Sequence, residues 1–222
     1  MDVRFLIFLM ELVSSVISFI MGYFALRAYR TSGVRGLFLL HLGFLILGIG
    51  TLLRFLTATY VGIILREYPG AGTRLGGLIG LTVTIYVVTQ LIAYGLFAVT
   101  YILQAVESVE AHKDAVTVAA AAAAIPLVKL FFIPGLEIIA IAFLGFITVS
   151  TFANWLLKKS RAAALVSLGF GLMLLSHLFF LFMAIEEWSG TLLVLGQSTQ
   201  LTGFICLLIM LAQVGRPDAE RT

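Results

Sequence analysis

Residues 36–58 and 162–184 of this chain are two copies of one hydrophobic segment. Leu42-Gly43-Phe44 matches Leu168-Gly169-Phe170, and Ala58 matches Ala184, at a constant spacing of 126 residues. Arg35 and Arg161 stand at that same spacing, immediately before each copy. Further on, Thr89-Gln90-Leu91 recurs as Thr199-Gln200-Leu201, 110 residues later. An apolar segment written twice, together with its neighbours, confines the chain to a duplicated membrane unit.

The rest of the sequence agrees with that constraint. Of 222 residues, 61% are apolar and only 11% are charged, whereas soluble domains carry about 25% charged residues. A transmembrane helix needs about 20 apolar residues to cross ~30 Å of hydrocarbon. Seven stretches qualify: 5–26, 36–58, 78–104, 115–133, 136–157, 162–184 and 190–213. They leave almost nothing for a soluble domain, so residues 1–222 read as one integral membrane domain. The first stretch exceeds the roughly 7–15 residues of a signal-peptide core and no small-x-small site follows it, so it is expected to remain as a helix. The single Cys206 excludes an intrachain disulfide.

Basic residues set the expected orientation. With the N-terminus outside, the inner side holds Arg27, Arg30, Arg35, Lys113, Lys158, Lys159, Arg161, Arg216 and Arg221. The outer side then holds Arg4, Arg54, Arg66, Arg74 and Lys129. The positive-inside bias favours an N-terminus outside and a C-terminus inside, in a multi-pass protein of the cell (cytoplasmic) membrane. No basic domain exists to hold a phosphate backbone, so nucleic acid is excluded as a partner.

The predicted fold is all-α, with seven transmembrane helices in a 3+1+3 parallel internal repeat. Repeat one spans 1–104, a linker helix spans 115–133, and repeat two spans 136–213. One linking crossing gives both copies the same direction, as in transporters built from parallel repeats. The spacing falls from 126 to 110 within the unit, so the first copy carries an insertion, about Thr59 to Leu75. An ordered external loop is expected there, since loops accept insertions at small cost. The linker contains six alanines, Ala119 to Ala124, then Pro126, and small side chains let helices approach closely in lipid. Gly43 and Gly50 form a small-residue stripe that Gly169 and Ser176 repeat, and an interhelical contact is expected along it. Pro134-Gly135 reads as a tight external turn.

The 3+1+3 arrangement looks like the SWEET sugar transporters, and seven helices with an outer N-terminus look like microbial rhodopsins. The paired Pro-Gln dipeptides of the first family are absent here. The last segment has no lysine for a retinal Schiff base. The resemblance therefore concerns architecture, which says little about function.

Ionisable and amide groups inside the membrane are costly and mark candidate sites. One face of the first segment carries Glu11, Ser14, Ser15, Ser18 and Gly22. Arg54 falls at the depth expected of Glu11, so a Glu11–Arg54 ion pair is expected. The third segment aligns Tyr86, Gln90, Tyr94, Phe97 and Tyr101, and the seventh offers Gln197, Gln200 and Phe204 at matching positions. Two glutamines facing a pseudo-twofold axis suit either a polar solute or each other. His177 completes the set of pocket residues: Glu11, Arg54, Tyr86, Gln90, Tyr94, His177, Gln197 and Gln200. Glu137, Glu186 and Glu187 read as lying at or near the outer surface, and His112 as solvated. Lys129 reads as an interfacial anchor.

His41 and His177 differ in depth by ~15 Å at 1.5 Å per residue, which disfavours a shared haem, and retinal is disfavoured by the missing lysine. No cofactor and no metal are expected. No nucleophile–base pair or phosphate-binding loop occurs, so the protein reads as a non-enzyme. The leading expectation is a small-solute or ion transporter or channel with a polar pocket in its outer half. The alternatives are a seven-helix ligand-binding sensor, or a non-catalytic subunit of a larger respiratory membrane complex. Expected partners are lipid, a small-molecule or ion ligand, and a second copy or a partner membrane protein.

Overall fold

The structure, a computed structural model, describes residues 3–68, 72–108, 133–185 and 190–214. These residues form six helices: α1 (Val3–Ser32), α2 (Arg35–Glu67), α3 (Gly72–Ser108), α4 (Ile133–Lys158), α5 (Arg161–Ile185) and α6 (Gly190–Val214). All six are long and apolar enough to cross a membrane. The protein is thus all-helical among its described residues, with the architecture of a multi-pass membrane protein. The fourth apolar stretch, 115–133, lies outside the described residues except at its final position, as do His112, Lys129, Glu186 and Glu187.

Each described helix packs against two neighbours, and the six close a ring in the order α1, α2, α3, α4, α5, α6 and back to α1. Packing is dense along the short connections and thinner at two seams, α3–α4 and α6–α1. The outer surface is rich in exposed Leu, Ile, Val and Phe, among them Val149, Leu157 and Leu168. Such a surface suits hydrocarbon, where the helix satisfies its own backbone groups. The centre is filled by Tyr94, Phe97, Phe170, Phe204, Met21, Leu47, Leu144 and Met173, all essentially buried.

Glycine lets the backbones close in. A Cβ on Gly43 would collide with the Phe97 ring, and one on Gly50 would collide with Thr89 Oγ1. On α5, a Cβ at Gly169 would meet Leu207 at 2.8 Å, and one at Gly203 on α6 would meet the Gly169 carbonyl at 2.7 Å. The expected small-residue stripe is therefore the α2–α3 and α5–α6 contact surface, as packing in lipid favours. Hydrogen bonds to backbone add to it: Ser15 Oγ donates to Gly48 O at 3.0 Å and Thr100 Oγ1 to Gly36 O at 3.4 Å.

The two short turns are alike. Gly33 has φ 71° and Lys159 has φ 49°. Each donates its backbone N–H four residues back, to Tyr29 O at 2.8 Å and Trp155 O at 2.7 Å. Left-handed residues commonly end helices in this way.

The insertion differs from expectation. Residues 59–67 continue α2, and α3 already runs from Gly72, so most of the inserted length is helix rather than loop. The reason is local: Thr59-Tyr60-Val61-Gly62-Ile63-Ile64-Leu65 holds one glycine, tolerated in a helix at a cost of about 1 kcal/mol, and no proline until Pro69, before which the Tyr68 backbone (φ −131°, ψ 80°) leaves the helix. With 33 and 37 residues, α2 and α3 measure about 50–55 Å at 1.5 Å per residue. That exceeds a ~30 Å hydrocarbon core by a wide margin.

The backbone contact at Gly203 gives a clear expectation. Gly203→Ala must push α5 and α6 apart and should cost about 1–3 kcal/mol, as overpacking does. Gly95→Ala, where nothing lies within 4 Å, should leave stability equal or raised by roughly 0.5–1 kcal/mol. Thermal unfolding of the detergent-solubilised protein compares the two.

Candidate functional site

Short connections place the charged turn residues Arg27, Arg30, Arg35, Lys158, Lys159 and Arg161 together at one end of the ring, the basic end. Glu11 lies 19 residues from Arg30 and Arg54 lies 19 from Arg35, about 29 Å along each helix. Both therefore sit toward the opposite end of the ring, and there they meet. Arg54 Nη2 lies 2.9 Å from Glu11 Oε1, as expected from their depths. The Arg54 guanidinium also stands 4.5 Å over the Tyr86 ring centroid, a cation–π contact worth about 2 kcal/mol when desolvated.

A second chain of contacts crosses the centre. His177 on α5 bonds through Nδ1 to Glu137 Oε2 at 2.6 Å and through Nε2 to the Tyr94 hydroxyl at 2.8 Å. Tyr94 Oη also accepts from Gln90 Nε2 at 3.4 Å and from Gln200 Nε2 at 3.5 Å. With a neutral ring, Nδ1–H donates to the carboxylate and Nε2 accepts the Tyr94 O–H, while both amides donate to the phenol oxygen. The Tyr94 and His177 rings meet edge to face, at 5.3 Å and 89°.

All eight predicted residues lie in this region, seven of them buried and Arg54 partly so. Seven are held by named contacts. Gln197 is 2% exposed, and its Nε2 has no partner among the described residues. The two glutamines do not hydrogen-bond to each other. They share the hydroxyl of Tyr94, which occupies the centre. The corresponding position on α6 is Phe204, which has no hydroxyl.

Glu137 departs from its reading as a surface acid. It is 9% exposed and bound to His177. Its place four residues into α4 makes it look terminal, but Tyr86 and Val87 of α3 pack against the adjacent Leu136 there. A signal was present: Glu137 follows Glu11 by 126 residues, the spacing already seen between Gly43 and Gly169.

His41 lies elsewhere, with Nδ1 donating to Gly22 O at 2.9 Å toward the basic end. Among the described residues, no three His, Cys, Asp or Glu side chains group as a metal site needs. A cleft of about 740 Å³ opens beside the layer, lined by Phe5 and Phe8 of α1, Arg54, Thr57 and Arg66 of α2, and Thr82 of α3. It lies within the first three helices, to one side of the centre where a pocket was expected. Toward the basic end the axis is closed by aromatic rings, with Phe97 at 4.6 Å from Phe44 and 6.0 Å from Phe170.

Three buried polar atoms at this level have no partner among the described residues: Glu11 Oε2, Ser14 Oγ and Gln197 Nε2. Buried polar groups are rarely left so. They fall on α1 and α6, whose seam is also bridged by Ser198 Oγ to Met10 Sδ at 3.8 Å.

Compared with known protein families, curated proteins and solved structures, the chain matches none.

Two mutational outcomes follow. Arg54→Met leaves Glu11 buried without its counter-charge and should cost about 3–5 kcal/mol. Adding Glu11→Gln should recover much of that loss, which a double-mutant cycle of thermal unfolding measures; additive losses would show the pair to be uncoupled. Tyr94→Phe deprives two amides and one imidazole of a shared partner and should cost about 1–3 kcal/mol. Tyr23→Phe, at an exposed position, serves as the neutral control in the same assay.

Proposed function

We propose that the protein is a transporter or channel for a small polar solute or ion, with the buried polar layer as its binding site. The observation that carries this reading is the convergence of Glu11, Arg54, Tyr86, Gln90, Tyr94, Glu137, His177, Gln197 and Gln200. Every one of the six described helices contributes at least one of them. A structural staple needs two partners, not six helices, and intramembrane ionisable groups are functional candidates by default. The unpartnered atoms of Glu11, Ser14 and Gln197 give a polar ligand something to bind. The cleft beside Arg54 gives it an approach.

The reading includes a duplicated three-helix unit. Exchanging α1, α2 and α3 for α4, α5 and α6 leaves the ring of contacts unchanged. The left-handed residues Gly33 and Lys159, and the acids Glu11 and Glu137, are each 126 residues apart. Each acid engages a basic side chain on the following helix. Gln90 and Gln200, 110 apart, reach the same hydroxyl. With residues 115–133 as a seventh crossing, both units run in the same direction. The basic end then faces the cytoplasm and the polar layer lies in the outer half.

One observation favours a second reading, a ligand-binding sensor. Phe44, Phe97, Phe170 and Phe204 are buried side by side beneath the layer, so a ligand bound above them has no open path to the basic end. A sensor needs none and passes its signal to a partner protein.

Proteoliposomes loaded with a dye-reported panel (potassium, sodium, glycerol, glucose and glycine) separate the readings. The transport reading expects at least one probe to cross at least tenfold faster than in empty vesicles, with the Gln90→Leu/Gln200→Leu variant losing the gain. No flux of any probe through correctly folded protein would retire it in favour of the sensor.

A further inference from the structure

The polar layer does not balance its own charge. Its described residues hold two carboxylates, Glu11 and Glu137, and one permanent cation, Arg54. The other side chains facing His177 and Glu137 are Tyr86 and Tyr94 from α3 and the neutral Gln197 and Gln200 from α6. Arg54 is bound to Glu11. Glu137 is left with His177 as its direct partner, at 2.6 Å. With a neutral imidazole the layer carries one net negative charge in a region from which water is largely excluded, an expensive state. A proton on His177 brings the layer to zero.

We propose that Glu137, His177 and Tyr94 form a proton-binding site, and that the proton is the coupling ion of the layer. This rests on the functional reading above for the word coupling, while the proton site itself stands on the geometry alone. The proton comes from water at the end of the ring opposite the basic one and bonds to His177 Nε2. That nitrogen then changes from acceptor to donor, and Tyr94 Oη from donor to acceptor. The Tyr94 O–H must find a new acceptor, and either neighbouring glutamine supplies one when its amide turns over and presents Oε1 in place of Nε2. Meanwhile Nδ1–H keeps its bond to Glu137, now as an ion pair. Release of the proton reverses each change. No heavy atom has to move far, because an amide offers a donor and an acceptor in nearly the same place.

This explains a detail that packing alone does not require. Two glutamines reach one phenol oxygen, at 3.4 and 3.5 Å, and the oxygen can serve both only while its own proton is given to His177. After protonation one amide donates and the other accepts. The cluster therefore has two hydrogen-bond patterns, related by one proton. The direction of one glutamine amide distinguishes them, so proton binding changes what the layer presents to a solute.

The chain has three histidines, which makes the test site-specific. In a His41→Gln/His112→Gln background, ¹⁵N-labelled histidine reports His177 alone. The whole chain is studied in detergent micelles between pH 5 and pH 9. The expected result is a single-proton conversion of the ring, from one N–H to imidazolium, as the pH falls. Glu137→Gln should lower the proton affinity at least tenfold, a shift of one pH unit or more. Tyr94→Phe, which keeps the carboxylate, should leave the ring titratable. Far-UV circular dichroism and thermal unfolding of Glu137→Gln itself check that a lost titration is not lost folding. A wild-type ring that holds one protonation state across the range overturns the proposal, as does an identical titration in folded Glu137→Gln. Because the readout needs no flux, a protein that binds the proton but moves no solute keeps this inference and loses only the transport reading.

Discussion

A charged side chain in hydrocarbon has no solvent to turn to, so its partner must come from another helix at the same depth. The Glu11–Arg54 contact is the clearest case here. At 2.9 Å it fixes the rotation of α1 about its axis and the height of α2 beside it. Tyr86, under the guanidinium, extends that constraint to α3. The Glu137–His177–Tyr94 chain then ties α4 and α5 back to α3, and Gln200 adds α6. In a medium where apolar packing has little directional preference between helices, these polar contacts choose one arrangement of the ring from many that are equally greasy. Glycine contacts such as Gly169 against Gly203 let the chosen arrangement close.

Much of this was legible in the chain because helices print their faces at a fixed period. The α3 row from Tyr86 to Tyr101 and the α1 row from Glu11 to Gly22 could be read directly, and both face inward. So could the depth match of Glu11 and Arg54, since lipid sets a common scale. Glu137 escaped because it stands at the margin of its apolar segment, where an acid normally meets water. Only the assembled ring shows it to be covered. The meeting of two glutamines at one hydroxyl was also hidden. It depends on how three helices are turned relative to one another, and no single segment records that. The extension of α2 escaped for a different reason: length beyond the hydrocarbon carries no hydropathy requirement, and Gly62 with its neighbouring threonines resembles a turn.

The centre of the ring separates two kinds of material along one axis. On one side lie carboxylates, amides, an imidazole and phenols, each needing a partner. On the other lie tilted and edge-on Phe rings and methionines that need only volume. A polar group is stabilised on the first side and penalised on the second, so the two halves of the axis are chemically distinct environments.

The two thin seams carry a mechanical consequence. They stand opposite one another, α3 beside α4 and α6 beside α1, and split the ring into two blocks of three tightly packed helices. Among the described residues, packing across these lines is sparser than within either block, so the least resistance to deformation is expected along them. The direction of easiest deformation is thus a relative tilt of the halves across a plane through Tyr94, whose hydroxyl holds side chains from both.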